Sequence, residues 1–358
     1  MSFFESVLAF GFEPWLEILL ALLLEIAFGK LLRFDPTDWI DRLSIRLHER
    51  TRHAAQLGPP TKELSRAVMA ALLPALVLML LTLGLITLID ALFGALWASV
   101  ARILLLCFAF SFRRELWGAS SVIRRLKKDD KEGARAALSR FTKKDTANMN
   151  AVGLVRTSAE ECSRAVAEGG FFPLFYASLG TLCHLFGGPS LSAPLALGAV
   201  MAFSVCRAAN ATFDQRPLYQ GLLVKMGSAL AFMPQRLFSV LVMPAAFVLR
   251  LAWKQSLQTM AQGSLILPQF SRGWVMGALS GACGLKLGGG GYYGGNWQAA
   301  PSVGTDYGSP DTTYLRAVIV LDLLTLALAS AVTIALPAAA AVCAIVLGFF
   351  AVRAPSRY

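Results

Sequence analysis

The 23 residues from Ala67 to Ile89, AVMAALLPALVLMLLTLGLITLI, contain no charged side chain and lie between Arg66 and Asp90. A helix of that length spans a hydrocarbon core of about 30 Å with some tilt. Residues 91–112 repeat the pattern, interrupted only by Arg102, and residues 14–33 do so with Glu17 and Glu25 inside them. Residues 169–206 are apolar apart from His184, but 38 residues are too many for one crossing. Gly187-Gly188-Pro189 breaks that stretch, so it reads as a helical hairpin. Residues 237–253 form a shorter apolar run. Residues 323–352 are uncharged with Pro337 inside, which fits one kinked helix or two short ones.

The composition agrees. Of 358 residues, 56% are hydrophobic and 15% charged, and mean hydropathy is +0.58. Soluble domains carry about 25% charge. Disordered, collagen-like and disulfide-scaffold classes are excluded on the same grounds. The reading is an all-α polytopic membrane protein with about 6–8 transmembrane or membrane-embedded helices. Residues 1–358 form a single membrane domain, with a loop at 34–65, a hydrophilic helical segment at 113–168 and a Gly/aromatic-rich loop region at 254–316.

The net charge of +11 is a topology signal. Residues 30–66 carry eight Lys/Arg, residues 113–168 thirteen and residues 207–236 four, together 25 of the 33. The turn between the spans at 67–89 and 91–112 has Asp90 alone. Basic loops stay inside, so these segments are expected on the cytoplasmic side of the plasma (inner) membrane, with the N-terminus outside. The first 14 residues hold Glu5 and Glu13 but no Lys or Arg, so no signal peptide is expected. A nucleic-acid partner is not expected either. Asp129, Asp130 and Glu132 follow Arg124-Arg125-Leu126-Lys127-Lys128 at once, and mixed charge binds a polyanion poorly. The partner is the lipid bilayer, and the oligomeric state is not legible.

The six cysteines are scattered without CxxC spacing, so no structural metal is expected. Gly289-Gly290-Gly291-Tyr292-Tyr293-Gly294 satisfies GxGxxG, but glycines and prolines follow where a dinucleotide site needs a helix. A tightly turned loop is the reading. His184 is expected to be buried against a neighbouring helix. Arg102, Glu17, Glu25 and Asp322 are costly inside a membrane and are functional candidates, with mutual pairing as the alternative.

Within 113–168, Ala134, Ala137, Leu138 and Phe141 recur at helical spacing. A second helix is predicted from Ala147 to Glu168, capped by Asp145 or Thr146. The series Ala136-Ala137-Leu138-Ser139-Arg140, Asp145-Thr146, Val155-Arg156, Glu160 and Pro173-Leu174-Phe175 resembles the CobD/CbiB cobalamin-biosynthesis family. Pro234-Gln235-Arg236-Leu237 looks like that family's PARL segment. Gly281 to Gly289 with Tyr292-Tyr293-Gly294-Gly295, then Pro301 and Gly304, look like its glycine-rich segment.

The resemblance implies an adenosylcobinamide-phosphate synthase. Such an enzyme joins a propionate carboxylate of adenosylcobyric acid, a corrinoid substrate, to the amine of aminopropanol or its phosphate, using ATP and Mg²⁺. It implies catalytic roles for Arg140, Asp145, Thr146, Glu160 and Glu168. It implies substrate binding by Asp214, Arg236, Trp274, Gly288, Gly289, Tyr292 and Tyr293, and assigns no metal ligands. Arg140, Asp145, Glu160 and Glu168 are expected to converge on one pocket at the cytoplasmic face.

The chain departs from the family pattern at polar positions. Arg164-Ala165 stands where the family has Glu-Asn, Glu168 where it has Asp, and Gly227-Ser228 where it has an acidic pair. Arg164 is placed to pair with both Glu160 and Glu168. A second reading therefore stays open, in which the chain is a catalytically degenerate relative acting as a membrane sensor, partner or accessory protein.

Overall fold

The computed structural model describes residues 13–28, 36–56, 63–185, 188–211, 217–267 and 272–352. The chain order is α1 (Pro14–Phe28), α2 (Pro36–Gln56), α3 (Glu63–Phe93), α4 (Ala95–Ala109), α5 (Arg113–Leu126), α6 (Lys131–Leu138) and α7 (Ala151–Ala165). A π-helical turn (Val166–Phe171) leads into α8 (Phe172–Leu185), α9 (Ser192–Ala211), α10 (Pro217–Val248), α11 (Trp253–Ile266) and α12 (Arg272–Cys283). Four short strands come next: β1 (Leu287–Gly288), β2 (Gly291–Tyr293), β3 (Asn296–Gln298) and β4 (Ser302–Val303). The last helix is α13 (Thr312–Val352).

Among the described residues four helices are long and apolar enough to cross a membrane: α3, α9, α10 and α13. The α4–α5 pair, bent by 51°, makes a fifth if it is one span. The shorter α1 and α8 pack beside these spans. The architecture is the expected all-α membrane protein.

α9 is its centre, touching α2, α3, α4, α8 and α10. Its small residues Ala193, Ala196, Ala199 and Ala202 are buried, which lets neighbouring backbones approach where no water drives association. α3 instead exposes Leu72, Leu73, Leu76, Leu80 and Leu81, as a lipid-facing helix does. The Arg102 and Glu17 candidates are a pair, 2.8 Å apart across α4 and α1, with Glu17 fully buried. Asp322 on α13 accepts a hydrogen bond from Ser163 Oγ at 2.9 Å.

Several expected boundaries move. The first predicted span at 14–33 is described as helix only to Phe28, since residues 29–35 lie outside the described residues. The hairpin expected at 169–206 is α8–α9, but its first arm runs back through the π-turn into α7. The helix predicted from Ala147 starts at Ala151, because Asn150 is the N-cap, its side chain accepting from Gly153 N–H at 2.8 Å. The short run at 237–253 is the second half of α10, and the region beyond 317 is one helix starting at Thr312. His184 is exposed near the end of α8 rather than buried.

The loop expected over 254–316 is the largest correction. Its first part is the helix pair α11–α12. Gly273, Gly277 and Gly281 recur every fourth residue on α12. A Cβ at Gly277 would strike the Thr259 carbonyl, and one at Gly281 the Thr259 hydroxyl. The two backbones touch, and Ser256 and Thr259 hydroxyls donate to Ala278 and Gly277 carbonyls, each at 2.7 Å. Residues 284–311 are the part without helix. They contain two antiparallel pairs, β1 with β4 and β2 with β3.

Candidate functional site

The polar centre lies where α7, the π-turn, α12 and the β-hairpins meet. Helix α7 presents Glu160 and Glu161 on successive residues, and the π-turn places Glu168. A π-turn inserts one residue per turn and re-aims the chain beyond it, and such turns recur at functional sites. Here it is anchored by Ser111 N–H, which donates to the Gly169 carbonyl at 2.9 Å.

Glu160 is buried between two donors. Lys144 Nζ lies 2.7 Å from its Oε2, and Gly288 N–H donates to its Oε1 at 2.6 Å. Burial alone would depress the Lys144 ammonium, but the Glu160 carboxylate beside it holds its pKa above the ordinary lysine value.

Glu161 accepts from Thr142 Oγ1 at 3.0 Å and pairs with Arg164 at 2.7 Å. Arg164 Nη1 also lies 3.6 Å from Glu168 Oε2. Glu168 takes Arg272 Nε on Oε1 at 2.7 Å and has Arg207 Nη1 3.6 Å from Oε2. Arg207 continues to Asp41 of α2 at 2.7 Å. Burial pushes the Glu168 carboxyl up, but Arg272, Arg164 and Arg207 together hold it below the ordinary carboxylate range. Its Oε2 accepts no hydrogen bond among the described residues and faces a crevice lined also by Ser163, Gln235, Val275 and Met276.

This network pairs four cations (Lys144, Arg164, Arg207 and Arg272) with four carboxylates (Glu160, Glu161, Glu168 and Asp41). Arg236 on α10 is a further cation nearby, with no carboxylate beside it among the described residues. Its guanidinium lies 3.5 Å from the Phe232 ring centroid and 4.7 Å from that of Trp274, and its buried Nε has no hydrogen-bond partner there.

The expected site residues separate into groups. Glu160 and Glu168 join the network, but Arg164 reaches Glu161 and Glu168 rather than Glu160. Asp145 is exposed and caps no helix. It pins the hairpin, its N–H donating to the Tyr292 carbonyl at 2.8 Å and its Oδ2 accepting from Gly295 N–H at 2.7 Å. Thr146 is buried beside it. Arg140 is exposed at the turn after α6 and takes no part in the network.

Gly288 and Gly289 sit at φ +82 and +94, which admits the tight crossing of the hairpin. Gly289 N–H donates to the Pro301 carbonyl at 2.9 Å. Tyr292 and Trp297 are exposed, their rings edge to face with centroids 5.0 Å apart. Tyr293 lies within electrostatic reach of Lys144, Glu160 and Arg272. Asp214 lies outside the described residues.

Sequence reading missed Lys144, Arg207 and Arg272, and also Asp306. Asp306 pairs with Arg156 and accepts from Lys286 N–H at 2.8 Å, fixing the far end of the hairpin to α7. The available signal was position. Lys144 adjoins Asp145, and Arg272 opens the glycine-repeat helix.

The carboxylates of the described network do not form a site for a protein-held Mg²⁺. Among the described residues no three His, Cys, Asp or Glu side chains gather around one point. Glu160, Glu161 and Glu168 each face a cation of the chain itself, and Mg²⁺ requires near-octahedral oxygen ligation.

Two curated proteins match about half of the chain. One is "Cobalamin biosynthesis protein CobD" of Clostridium perfringens (strain 13 / Type A), 27% identical over 184 residues, covering 51% of this chain and 55% of that protein. The other is the protein of the same name from Synechocystis sp. (strain ATCC 27184 / PCC 6803 / Kazusa), 28% identical over 189 residues, covering 52% of each. The chain thus spans about half the length of the curated relatives it matches. No solved structure matches. The family model described as CobD/Cbib protein matches residues 18–322, and the chain belongs to that family.

Proposed function

We propose that the chain acts in cobalamin biosynthesis as a membrane-bound amide-forming ligase. It would join a corrinoid propionate to an aminopropanol or its phosphate, with ATP as the activating co-substrate. Family membership and the names of the relatives support the pathway. The observation that carries the site is Arg236, a guanidinium held between two aromatic rings beside a charge-balanced network.

An arginine stacked on aromatic rings in this way favours a carboxylate or phosphate, which it grips with two parallel hydrogen bonds. The propionate and the phosphate are both such groups. Glu168 complements it. Three guanidiniums keep its carboxylate ionised, and its Oε2, which accepts no hydrogen bond among the described residues, is left as an acceptor for an amine N–H in the crevice. Gln235, which adjoins Arg236 in the chain, lines the crevice with Glu168, and holding amine and activated acyl group together there would lower a bimolecular barrier substantially. The exposed Tyr292 and Trp297 offer aromatic surface to a flat macrocycle at the hairpin tip.

A second reading is favoured by a separate observation. Glu160 and Glu168 are both engaged by cations of the chain, and Arg164 stands where the family has an acid. In that reading the fold persists without catalysis, and the chain is a sensor, partner or accessory protein. Complementation separates the two. A strain deleted for its corrinoid amide ligase and carrying this chain should recover cobalamin output under the first reading. A well-expressed chain that restores none supports the second.

A further inference from the structure

Helix α2 carries a surface independent of that site. Its inner face is settled by contacts: Ser44 Oγ donates to Met201 Sδ at 3.6 Å, Asp41 pairs with Arg207, and Thr51 Oγ1 shares a hydrogen bond with Tyr219 OH at 2.9 Å. Ile40, Ser44 and His48 are buried there. At 100° per residue, Trp39, Arg42, Arg46 and Arg50 fall within about 80° of one another on the opposite face. All four are exposed, as are Ile45 and Glu49 at the edge of the stripe. The three arginines have no hydrogen-bond or ion-pair partner among the described residues. From Arg42 to Arg50 the stripe runs about 12 Å.

We propose that this face binds the anionic headgroups of the bilayer in which the chain sits. Helix α2 ends at Gln56 and the lipid-facing α3 begins at Glu63. The seven residue steps from Gln56 to Glu63 reach at most about 25 Å, so α2 is tethered to the membrane edge. A guanidinium matches a phosphate diester oxygen pair, and an exposed Trp beside basic residues suits the headgroup layer. Each basic residue near an anionic surface improves partition about fivefold, so three in register act together. The stripe would fix the tilt of α2, and through Asp41 and Arg207 it adjoins the Glu168 network.

The test uses the full chain in nanodiscs, with an environment-sensitive dye on Ile45→Cys in a background lacking native cysteines. Discs of phosphatidylcholine are compared with discs containing phosphatidylglycerol. The dye is expected to shift to the blue in the anionic discs, and the shift should shrink in high salt. The triple variant R42Q/R46Q/R50Q should abolish it, while R42K/R46K/R50K should keep most of it. Phosphatidylglycerol retained on purification, measured by mass spectrometry, should fall in parallel. Equal dye signals in both disc types would overturn the proposal, as would a shift that survives the triple Gln variant. A shift produced in phosphatidylcholine discs by soluble ATP or inorganic phosphate would overturn it in favour of a soluble anion.

Discussion

Lys144 and Glu160 meet at 2.7 Å, and the second oxygen of Glu160 takes the Gly288 amide at 2.6 Å. One carboxylate thereby joins the loop before α7 to the first strand of the hairpin. With Asp145 holding Gly295 and Tyr292, and Arg156 holding Asp306, the glycine-rich segment is pinned at three places along α7 and its approach.

Removing one partner of this buried pair leaves the other uncompensated, at a cost of about 3 kcal/mol. Lys144→Met and Glu160→Gln are each expected to lower Tm and to speed proteolysis within residues 289–300. The double variant Lys144→Met/Glu160→Leu should lose less than the sum of the single changes, because contacting residues are coupled. Additive losses would show that the pair does not hold the hairpin.

Glu168 predicts an acid limit. Its carboxyl titrates below the ordinary value of 4.5 in the folded chain, so the unfolded chain takes the proton first as pH falls. The stability contributed by its three arginine contacts is present in full above about pH 4.5 and is lost as pH falls through the folded value. The Tm gap between the parent and Glu168→Gln should therefore be constant near neutrality and close in acid. A gap that does not change between pH 7 and pH 3 contradicts the assignment.

Gly277 lies against the Thr259 backbone. Gly277→Leu should separate α11 from α12 and cost about 1–3 kcal/mol from overpacking, or more if the pair cannot shift. Gly221, within α10, has nothing within 4 Å of an added Cβ. Gly221→Ala should be neutral or stabilising by up to about 1 kcal/mol. Thermal unfolding of both variants in detergent checks the contrast.

The basic segments predict sidedness. In a cysteine-free background, Lys128→Cys should be protected from an impermeant thiol reagent in intact cells and Asp90→Cys labelled. Lys128 is exposed on the protein surface and Asp90 lies on the lipid-facing α3 close to its end at Phe93. The opposite pattern reverses the topology.

The apolar runs made the spans legible because in a bilayer hydrophobicity alone sets where a helix sits. Their ends were less so. α10 extends through Lys225 and Arg236, charges that a window of uncharged residues excludes. The α11–α12 pair was lost because glycine was read as a loop signal. The four-residue repeat Gly273, Gly277, Gly281 is a helix-contact signal instead. At the site, Glu160 and Glu168 stood out in sequence, but their partners Lys144, Arg207 and Arg272 come from distant segments. A π-turn between Glu160 and Glu168 also breaks the regular helical spacing that placed them on one face. Arg140 and Asp145 were grouped with them by the family resemblance, and in the fold Arg140 is exposed after α6 while Asp145 holds the hairpin.

The central claim is amide formation at the Glu168 crevice, with Arg236 as the group that binds the substrate anion. Its most direct test is the parent chain in nanodiscs, supplied with adenosylcobyric acid, aminopropanol phosphate, ATP and Mg²⁺, with the amide product followed by mass. The account predicts product from the parent. It predicts a fall in kcat/KM of about 100-fold for Arg236→Gln, equivalent to about 2.7 kcal/mol of lost transition-state binding, in a variant whose Tm stays near that of the parent. No product from a folded parent, or an Arg236→Gln variant as active as the parent, would contradict it.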